Sequence, residues 1–392
     1  MTEPAAAVDT RVCPACHQTV PAGAFCGSCG ADLAAPRQYW RTLLRPRVFA
    51  AAPREPVALP MVTSSLFPHL PQPSRTPFRL GLFLLLLALC GFAALRLLGP
   101  LVTVAALGVP LLFGLYLWQS GVLRDTPNHA LALATLTGAV FGTAWVLLTG
   151  GLIARSYGIP MAAGFVLQHL LGVGLAISVG GAVLMVLPAV LVRFLRPPSR
   201  ESLDGFVIGA LGAMSFTAAA TLTRLAPQFT AGLIDNVRPL RLFVEAALYG
   251  LAIPLTAAAA GGLIGMMLWF QPSRRAGRHP ARIRVALVVF TALVVTMYTA
   301  VWVIDAARLP RIPQLLLHLA LTAVALITVR AGMQMALLHE NIDDHWTGRP
   351  WLCVHCERVV PDMPFCPACG AAERAASRSS RRARRESPPQ RE

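Results

Sequence analysis

Eight of the nine cysteines fall into two sets with identical spacing, one near each end of the chain. Each set reads C-x2-C-x9-C-x2-C-G, and paired CxxC turns aim four thiolates at one ion with the tetrahedral geometry that zinc prefers. His17 and His355 lie beside these turns, and we expect them to stay unligated because four cysteines already suffice. The spacing predicts two short zinc ribbons with one structural zinc ion each, held by Cys13, Cys16, Cys26, Cys29 and by Cys353, Cys356, Cys366, Cys369.

The repeat extends beyond the cysteines, since the dipeptide Val20-Pro21 recurs at 360–361 and Phe25 recurs as Phe365. A module of this size cannot build a sufficient hydrophobic core. Zinc binding, about 10–16 kcal/mol in finger peptides, would supply its folding free energy. Four protein ligands leave no open position for water, so we expect structural rather than catalytic sites. We also expect each site to be local, so that Cys13→Ser would unfold only its own ribbon.

The chain between the ribbons has the composition of a membrane protein. Of the whole sequence, 55% is hydrophobic and only 13% is charged, with a mean hydropathy of +0.60. Soluble domains carry about 25% charged residues, so a soluble globular protein and a disordered chain are both excluded. Eight apolar segments approach or exceed the length needed to cross a bilayer. We predict an all-α polytopic membrane protein with helices at about 80–98, 100–118, 129–150, 162–193, 204–223, 243–270, 282–304 and 313–338.

Composition divides the chain into five parts. The ribbons flank a Pro/Arg-rich stretch, in which one short helix is expected around residues 39–44, and the helical region. The last residues are rich in Ser and Arg, which is typical of a solvated, disordered end. The predicted parts are an N-terminal zinc ribbon at 1–33, a cytosolic linker at 34–77, a transmembrane domain at 78–340, a C-terminal zinc ribbon at 341–371 and a basic disordered tail at 372–392.

Charge predicts the orientation in the membrane. All 34 basic residues are arginine, which indicates a GC-rich, bacterial genome, and the net charge is +16. Arginines concentrate in the N-terminal stretch, in the tail and in the connections after the second, fourth and sixth helices. By the positive-inside rule both termini are cytosolic. Residues 1–32 contain no apolar signal segment, and paired CxxC turns suit a reducing compartment. We therefore expect the bacterial inner membrane.

One membrane segment resembles a known family. Residues 203–210 read LDGFVIGA and are followed by SFTA at 215–218, and residues 115–118 with Arg124 and Asp125 form a similar helix end. Across about residues 100–265 this pattern resembles the PrsW family of glutamic-type intramembrane proteases. The resemblance implies a helical bundle with carboxylates that activate water.

The motif positions of that family lack their catalytic groups in this chain. The family's glutamate and asparagine fall on Ala220 and Thr221, and its earlier Glu-Glu-x-x-Lys motif falls near 180–184, where no carboxylate or lysine stands. The stretch 248–256, where a motif histidine is expected, contains none. Peptide hydrolysis needs a base or a metal to activate water. The resemblance therefore implies a degenerate, inactive member.

Two acidic residues in the membrane region form a possible polar intramembrane site, namely Asp204 and Glu245. Charges at membrane depth are functional candidates by default. Capping or loop packing of Asp204, and an ion pair of Glu245 with Arg241 one turn earlier, are the structural alternatives. Small residues such as Gly205 and Gly209 allow close helix packing, with a homodimer as the alternative.

The sequence as a whole favours a zinc-ribbon-containing, non-catalytic membrane protein that interacts or senses, a pseudoprotease relative of the PrsW type. Its expected partners are the lipid bilayer and a cytosolic protein bound through the ribbons, with anionic lipid as a possible contact of the basic tail. An active PrsW-like protease with relocated catalytic groups is the first alternative. A small-molecule transporter is the second, although no paired carboxylates lie in the middle of a helix.

Overall fold

A computed structural model describes residues 9–35, 44–45, 47–71, 74–156, 166–195, 201–229, 239–273, 280–306, 309–340 and 350–386. Eight helical spans in this part are long and apolar enough to cross a membrane. The all-α polytopic fold predicted from the sequence is confirmed, and the strands form only two-stranded sheets, one in each cysteine module. The described α-helices outside the spans are short: one precedes the first span, one lies between the second and third spans, and one follows the second ribbon.

The elements follow in chain order. The strands are β1 (Thr10–Val12), β2 (Thr19–Pro21), β3 (Trp351–Leu352) and β4 (Val359–Val360). The helices are α1 (Val62–Leu66), α2 (Arg75–Ala94), α3 (Leu98–Gln119), α4 (Val122–Asp125), α5 (Asn128–Ser156), α6 (Val166–Phe194), α7 (Ser202–Leu225), α8 (Pro239–Ala247), α9 (Ile253–Trp269), α10 (Pro280–Ala306), α11 (Arg311–His339) and α12 (Arg378–Glu386).

The first two spans meet earlier in the chain than the sequence predicts. Gly99 and Pro100 were expected to form the break, but both lie in the first turn of α3. Backbone N–H groups in a first turn have no partner inside the helix, so the missing N–H of proline costs little there. The break falls instead at 95–97, where Arg96 has a φ of 56°.

A π-helical turn at Leu248–Ala252 joins α8 to α9 within one membrane span. The length of this span indicates tilt, a kink at Pro254 or an interfacial lead-in, and this proline lies in the first turn of α9. A proline ring collides with the carbonyl one turn earlier and donates no hydrogen bond. The widened turn lies directly before the proline and accommodates that disruption.

A pair of antiparallel helices, α7 and α9, forms the centre of the bundle. In an apolar 18-residue stretch of each of their two spans 83% of the residues are buried, against 22–39% in the matching stretches of the other six. A methyl group added at Gly209 would lie 2.0 Å from the carbonyl oxygen of Gly261, and one at Gly205 would lie 2.4 Å from that of Gly265. The backbones therefore touch where the sequence has small residues four apart. The predicted packing role of Gly205 and Gly209 is confirmed within one chain.

The Pro/Arg-rich stretch expected to be a linker is packed against the bundle in its described part. Ala50 and Phe49 are buried, and the backbone N–H of Ala50 donates to Oε1 of Gln334 at 2.7 Å. The short helix expected at 39–44 lies, apart from its last residue, outside the described residues. The stretch packs because polar side chains at the ends of α2 and α11 need partners, and its irregular backbone supplies them.

Arg330 is the clearest case of such pairing. Its guanidinium is fully buried and donates to Oε2 of Glu55 at 3.1 Å and to the carbonyl of Pro56 at 2.9 Å. It also donates to the hydroxyl of Ser64 and lies 4.2 Å from the ring centre of Phe49. A guanidinium provides five N–H donors, which suits it to join several backbone carbonyls and one carboxylate.

We predict that Gly209→Leu lowers the free energy of unfolding by at least about 3 kcal/mol, because the side chain would collide with the backbone of α9. Gly114→Leu is the matched control, since nothing lies within 4 Å of the atom that it would add. Thermal unfolding of the purified protein in detergent measures both. Equal stability of the two variants would contradict the helix pairing.

Candidate metal centres and the charged cluster beside them

The N-terminal cysteine module is a two-stranded hairpin followed by a second turn. Strands β1 and β2 pair antiparallel and position the first CxxC turn between them. The Sγ atoms of Cys13 and Cys29 lie 3.9 Å apart, and those of Cys16 and Cys26 lie 3.7 Å apart. All four sulfur atoms fall within 4.8 Å of one another. The four predicted ligands therefore converge on one point.

The C-terminal module repeats this geometry. The Sγ–Sγ distance is 3.8 Å both for Cys353 with Cys369 and for Cys356 with Cys366. Sulfur atoms placed 2.3 Å from a tetrahedral zinc ion would be about 3.8 Å apart. The donor set and spacing thus fit a zinc ion in each module. Each would be a closed structural site with no coordination position left for a substrate.

Left-handed backbone positions close both turns of each module. Gly30 and Gly370 have φ values of 68° and 76°, and each N–H donates to the carbonyl of the cysteine four residues earlier at 2.8 Å. His17 and Glu357 occupy the equivalent position after the first CxxC, with φ values of 59° and 57°. These conformations turn the chain so that two thiols of one turn face the same side.

The thiols of the N-terminal module need a cation to ionise together. A hydrogen bond shared with Cys26 lowers the pKa of Cys29 to about 5. Burial raises the pKa of Cys16 to about 11. Four thiolates at this distance repel one another, and a bound metal ion removes the repulsion and displaces the protons.

The two histidines beside the turns are not among the grouped metal ligands. His17 is exposed, whereas His355 is 5% exposed. Burial lowers the pKa of His355 to about 4, so its ring is neutral. Among the described residues, neither ring nitrogen of His355 has a hydrogen-bond partner.

The two ribbons contact each other, which the sequence does not predict. The N–H of Phe25 donates to the carbonyl of Pro367, and the N–H of Phe365 donates to the carbonyl of Gly27, both at 2.9 Å. Met363 of the C-terminal ribbon packs against the core of the N-terminal ribbon. The two modules are therefore in direct contact, and the expectation that each metal site is local stays a prediction.

The C-terminal ribbon also contacts the helical bundle. The N–H of Ala372 donates to the carbonyl of Ala50 at 2.9 Å, and Phe365 belongs to the main hydrophobic core. The residues that follow form α12, although the sequence predicts a disordered tail from 372 onward. Its first turn is fixed by Asp125, whose carboxylate accepts the N–H of Ser379 at 2.9 Å. A carboxylate is favourable at a helix N-terminus.

Arginines of α12 pair with carboxylates at the start of α7. Arg378 donates to Oδ2 of Asp204, and Arg381 donates to Oε1 of Glu201, both at 2.5 Å. Asp204 is 4% exposed and lies in the first turn of α7. Although burial opposes it, the nearby guanidinium of Arg381 keeps the pKa of Glu201 below its usual value. The prediction of a disordered tail is wrong for residues 372–386, because these buried carboxylates need cations, and residues 387–392 lie outside the described part of the chain.

Glu340 closes the same cluster from the end of α11. It accepts the N–H of Ser202 at 2.7 Å and the hydroxyl of Ser202 at 2.9 Å, and it lies 3.2 Å from Nη1 of Arg374. Burial, opposed by Arg374, raises the pKa of Glu340 to about 7. The segment after the second ribbon, the end of α11 and the start of α7 therefore meet at one face of the bundle.

Asp204 and Glu245 are not brought together. Glu245 accepts Nε of Arg241 at 2.7 Å, which is the predicted pair, and Nη1 of Arg311 lies 3.4 Å from it. Gly265 lies beside Gly205 in the antiparallel pair, and Glu245 precedes Gly265 by about 20 residues, or about 30 Å of helix. The possible polar intramembrane site is thus two separate ion-paired groups at opposite ends of the bundle.

Packing is close at Gly180, Gly181 and Ala220, which are the positions where the resemblance alone led us to expect motif residues. The indole of Trp145 covers Gly180 and Gly181, where added methyl groups would lie 2.5 and 2.9 Å from its ring atoms. Ala220 is buried on α7. Comparison with protein families, with curated proteins and with solved structures finds no match to this chain.

Sequence reasoning missed the groups that join distant segments, namely Phe25 with Phe365 and the arginines of the tail. The phenylalanines carried a signal, because they recur at the same place in both modules, directly before the third cysteine. The arginines carried none, since a Ser/Arg-rich segment has the composition of a solvated end.

We predict two zinc ions per chain in protein purified in detergent, one for each cysteine group. Elemental analysis by mass spectrometry measures the content. Cys90→Ser is the control, because Cys90 belongs to neither group and its loss should leave the content unchanged. A content near one ion, or iron in place of zinc, would contradict the assignment.

Proposed function

We propose that this chain is a non-catalytic membrane protein of the PrsW-like type, a pseudoprotease, that recruits a soluble partner through its paired ribbons. The observation that carries the proposal is the engagement of its carboxylates. Asp204 and Glu201 are bound by arginines of the chain's own tail, and Glu245 is bound by Arg241 and Arg311. A carboxylate in an ion pair is a poor base for activating water.

The packing at the motif positions supports the same proposal. Trp145 fills the space beside Gly180 and Gly181, where the resemblance would place two carboxylates. Side chains at these positions would have to displace the indole. An active protease would therefore need other residues, and the described carboxylates near α7 are held in the charged cluster.

The outer surface of the ribbons supports recruitment of a protein. Val12 is 62% exposed and Val359 is 52% exposed, one on the hairpin of each ribbon. An apolar residue on a hairpin surface suits contact with another protein better than contact with nucleic acid, which would need basic and aromatic groups. Arg382 is exposed on α12 and is the residue that we propose for contact with anionic lipid.

The bacterial inner membrane with both ends in the cytosol remains our proposed location. Its support is the density of arginines on the ribbon side and the need of thiolate sites for a reducing compartment. The small residues Gly205 and Gly209 are used inside the chain, so they provide no surface for the alternative homodimer.

The proposal predicts no cleavage of a panel of single-span membrane proteins co-expressed with the full chain. It also predicts none with a chain ending at residue 376, in which Asp204 and Glu201 have lost their tail arginines. The reason is that the freed carboxylates still lack the glutamates and the histidine of the PrsW motifs. Cleavage that Asp204→Asn or Glu245→Gln abolishes would contradict the proposal and favour the protease.

The same preparation tests recruitment. Proteins cross-linked to the wild-type chain should be lost from the double variant Val12→Asp/Val359→Asp, whose changes are on the surface and leave both zinc ions bound. Retention of every cross-linked protein in that variant would contradict recruitment through this surface.

A further inference from the structure

The contact between the ribbons has approximate two-fold symmetry. Phe25 and Phe365 are equivalent in the repeat, and so are Gly27 and Pro367. Each phenylalanine N–H donates to the carbonyl at the other equivalent position, with the same 2.9 Å distance. The ribbons thus exchange one backbone hydrogen bond in each direction, as two copies of a symmetric dimer would.

The phenylalanine rings are exchanged in the same way. A methyl group at Gly30 would lie 2.7 Å from Cδ1 of Phe365, and one at Gly370 would lie 2.7 Å from Cδ1 of Phe25. Each ring therefore covers the left-handed glycine that ends the partner's second CxxC turn. Only a residue without Cβ leaves room for the ring in this conformation.

The contacting atoms belong to the zinc-binding turns themselves. Phe25 and Gly27 are the neighbours of Cys26, and Phe365 and Pro367 are the neighbours of Cys366. Without a metal ion, a turn of this kind has too little core of its own to keep its shape. Loss of zinc from one ribbon would then remove the hydrogen-bond acceptor and the glycine surface on which the other ribbon rests.

We propose that the two ribbons bind zinc as one cooperative unit, so that emptying either site weakens zinc binding at the other. The proposal rests on the proposed zinc occupancy. The coupling acts through Phe25, Phe365 and the two exchanged hydrogen bonds. This coupling replaces the expectation of two local sites. It also makes the contact between the two ribbons depend on both zinc ions.

Competition between the full chain in detergent and a chromogenic zinc chelator tests the coupling. Cys13→Ser should leave one zinc ion, held about 5–150-fold less tightly than in the intact chain, which is the usual range for coupled sites. Cys353→Ser should weaken the N-terminal site by the same factor, because coupling between two binding sites is reciprocal. An unchanged affinity of the remaining site would overturn the proposal.

Variants that keep all eight ligands test whether the coupling acts through the phenylalanine contacts. Their result does not depend on the folding of a ribbon that has lost a ligand. Phe25→Ala should weaken both sites by about tenfold or more. Thr19→Ala is the matched control, since Thr19 lies on β2 of the same ribbon and is exposed. If Phe25→Ala weakened only the N-terminal site, the coupling would be overturned. If the wild-type chain contained no zinc, the zinc sites themselves would be refuted. If it held two zinc ions whose affinities did not depend on each other, only the coupling would be refuted.

Discussion

A charged group that is buried at the edge of an apolar bundle needs an ion pair or hydrogen bonds. This need determines how the face of the bundle that carries the two ribbons is built. Glu201, Asp204 and Glu340 stand where helices leave the bundle, and arginines from beyond the second ribbon approach them. Leaving such a group unpaired costs about 3–5 kcal/mol. The chain's last described segment is therefore part of the fold rather than an appendage.

The same requirement fixes the segment that precedes the bundle. Arg330 lies in an apolar helix and takes Glu55 and the carbonyls of Pro56 and Val57 as partners. The N-terminal segment thereby becomes attached to the last span, while the tail is attached to the start of α7. Since both segments connect to ribbons, the ribbons are held at one face, where they contact each other.

Two parts of this architecture could be predicted from the sequence, because each depends on local pattern. The eight helices follow from apolar runs of membrane length, and the metal ligands follow from CxxC spacing. The break before α3 was misplaced because Gly99 and Pro100 suit a first turn as well as a loop. The ion pairs of Arg330 and Arg378 could not be predicted, because their partners lie more than 170 positions away in the chain. The match of Phe25 with Phe365 was visible, but its meaning depends on a contact between the two ends.

The proposed function rests on two features of the helical bundle. The carboxylate of Asp204 is held by the tail, and Trp145 occupies the place beside Gly180. The two ribbons carry Val12 and Val359 on the exposed surfaces of their hairpins. Our proposal is that this arrangement presents the paired ribbons to a soluble partner, and that zinc and the contact between the ribbons hold that surface in shape.

The pairing of the two ends is the central claim, and a photo-reactive phenylalanine analogue at position 25 tests it most directly. On irradiation it should cross-link the N-terminal ribbon to the peptide that contains Gly370, within a single chain, while the same analogue at the exposed position 12 should not. Mass spectrometry of the digested product locates the cross-link, and the size of the product shows whether one chain or two are joined. A cross-link between two chains, or none to the C-terminal ribbon, would contradict the account.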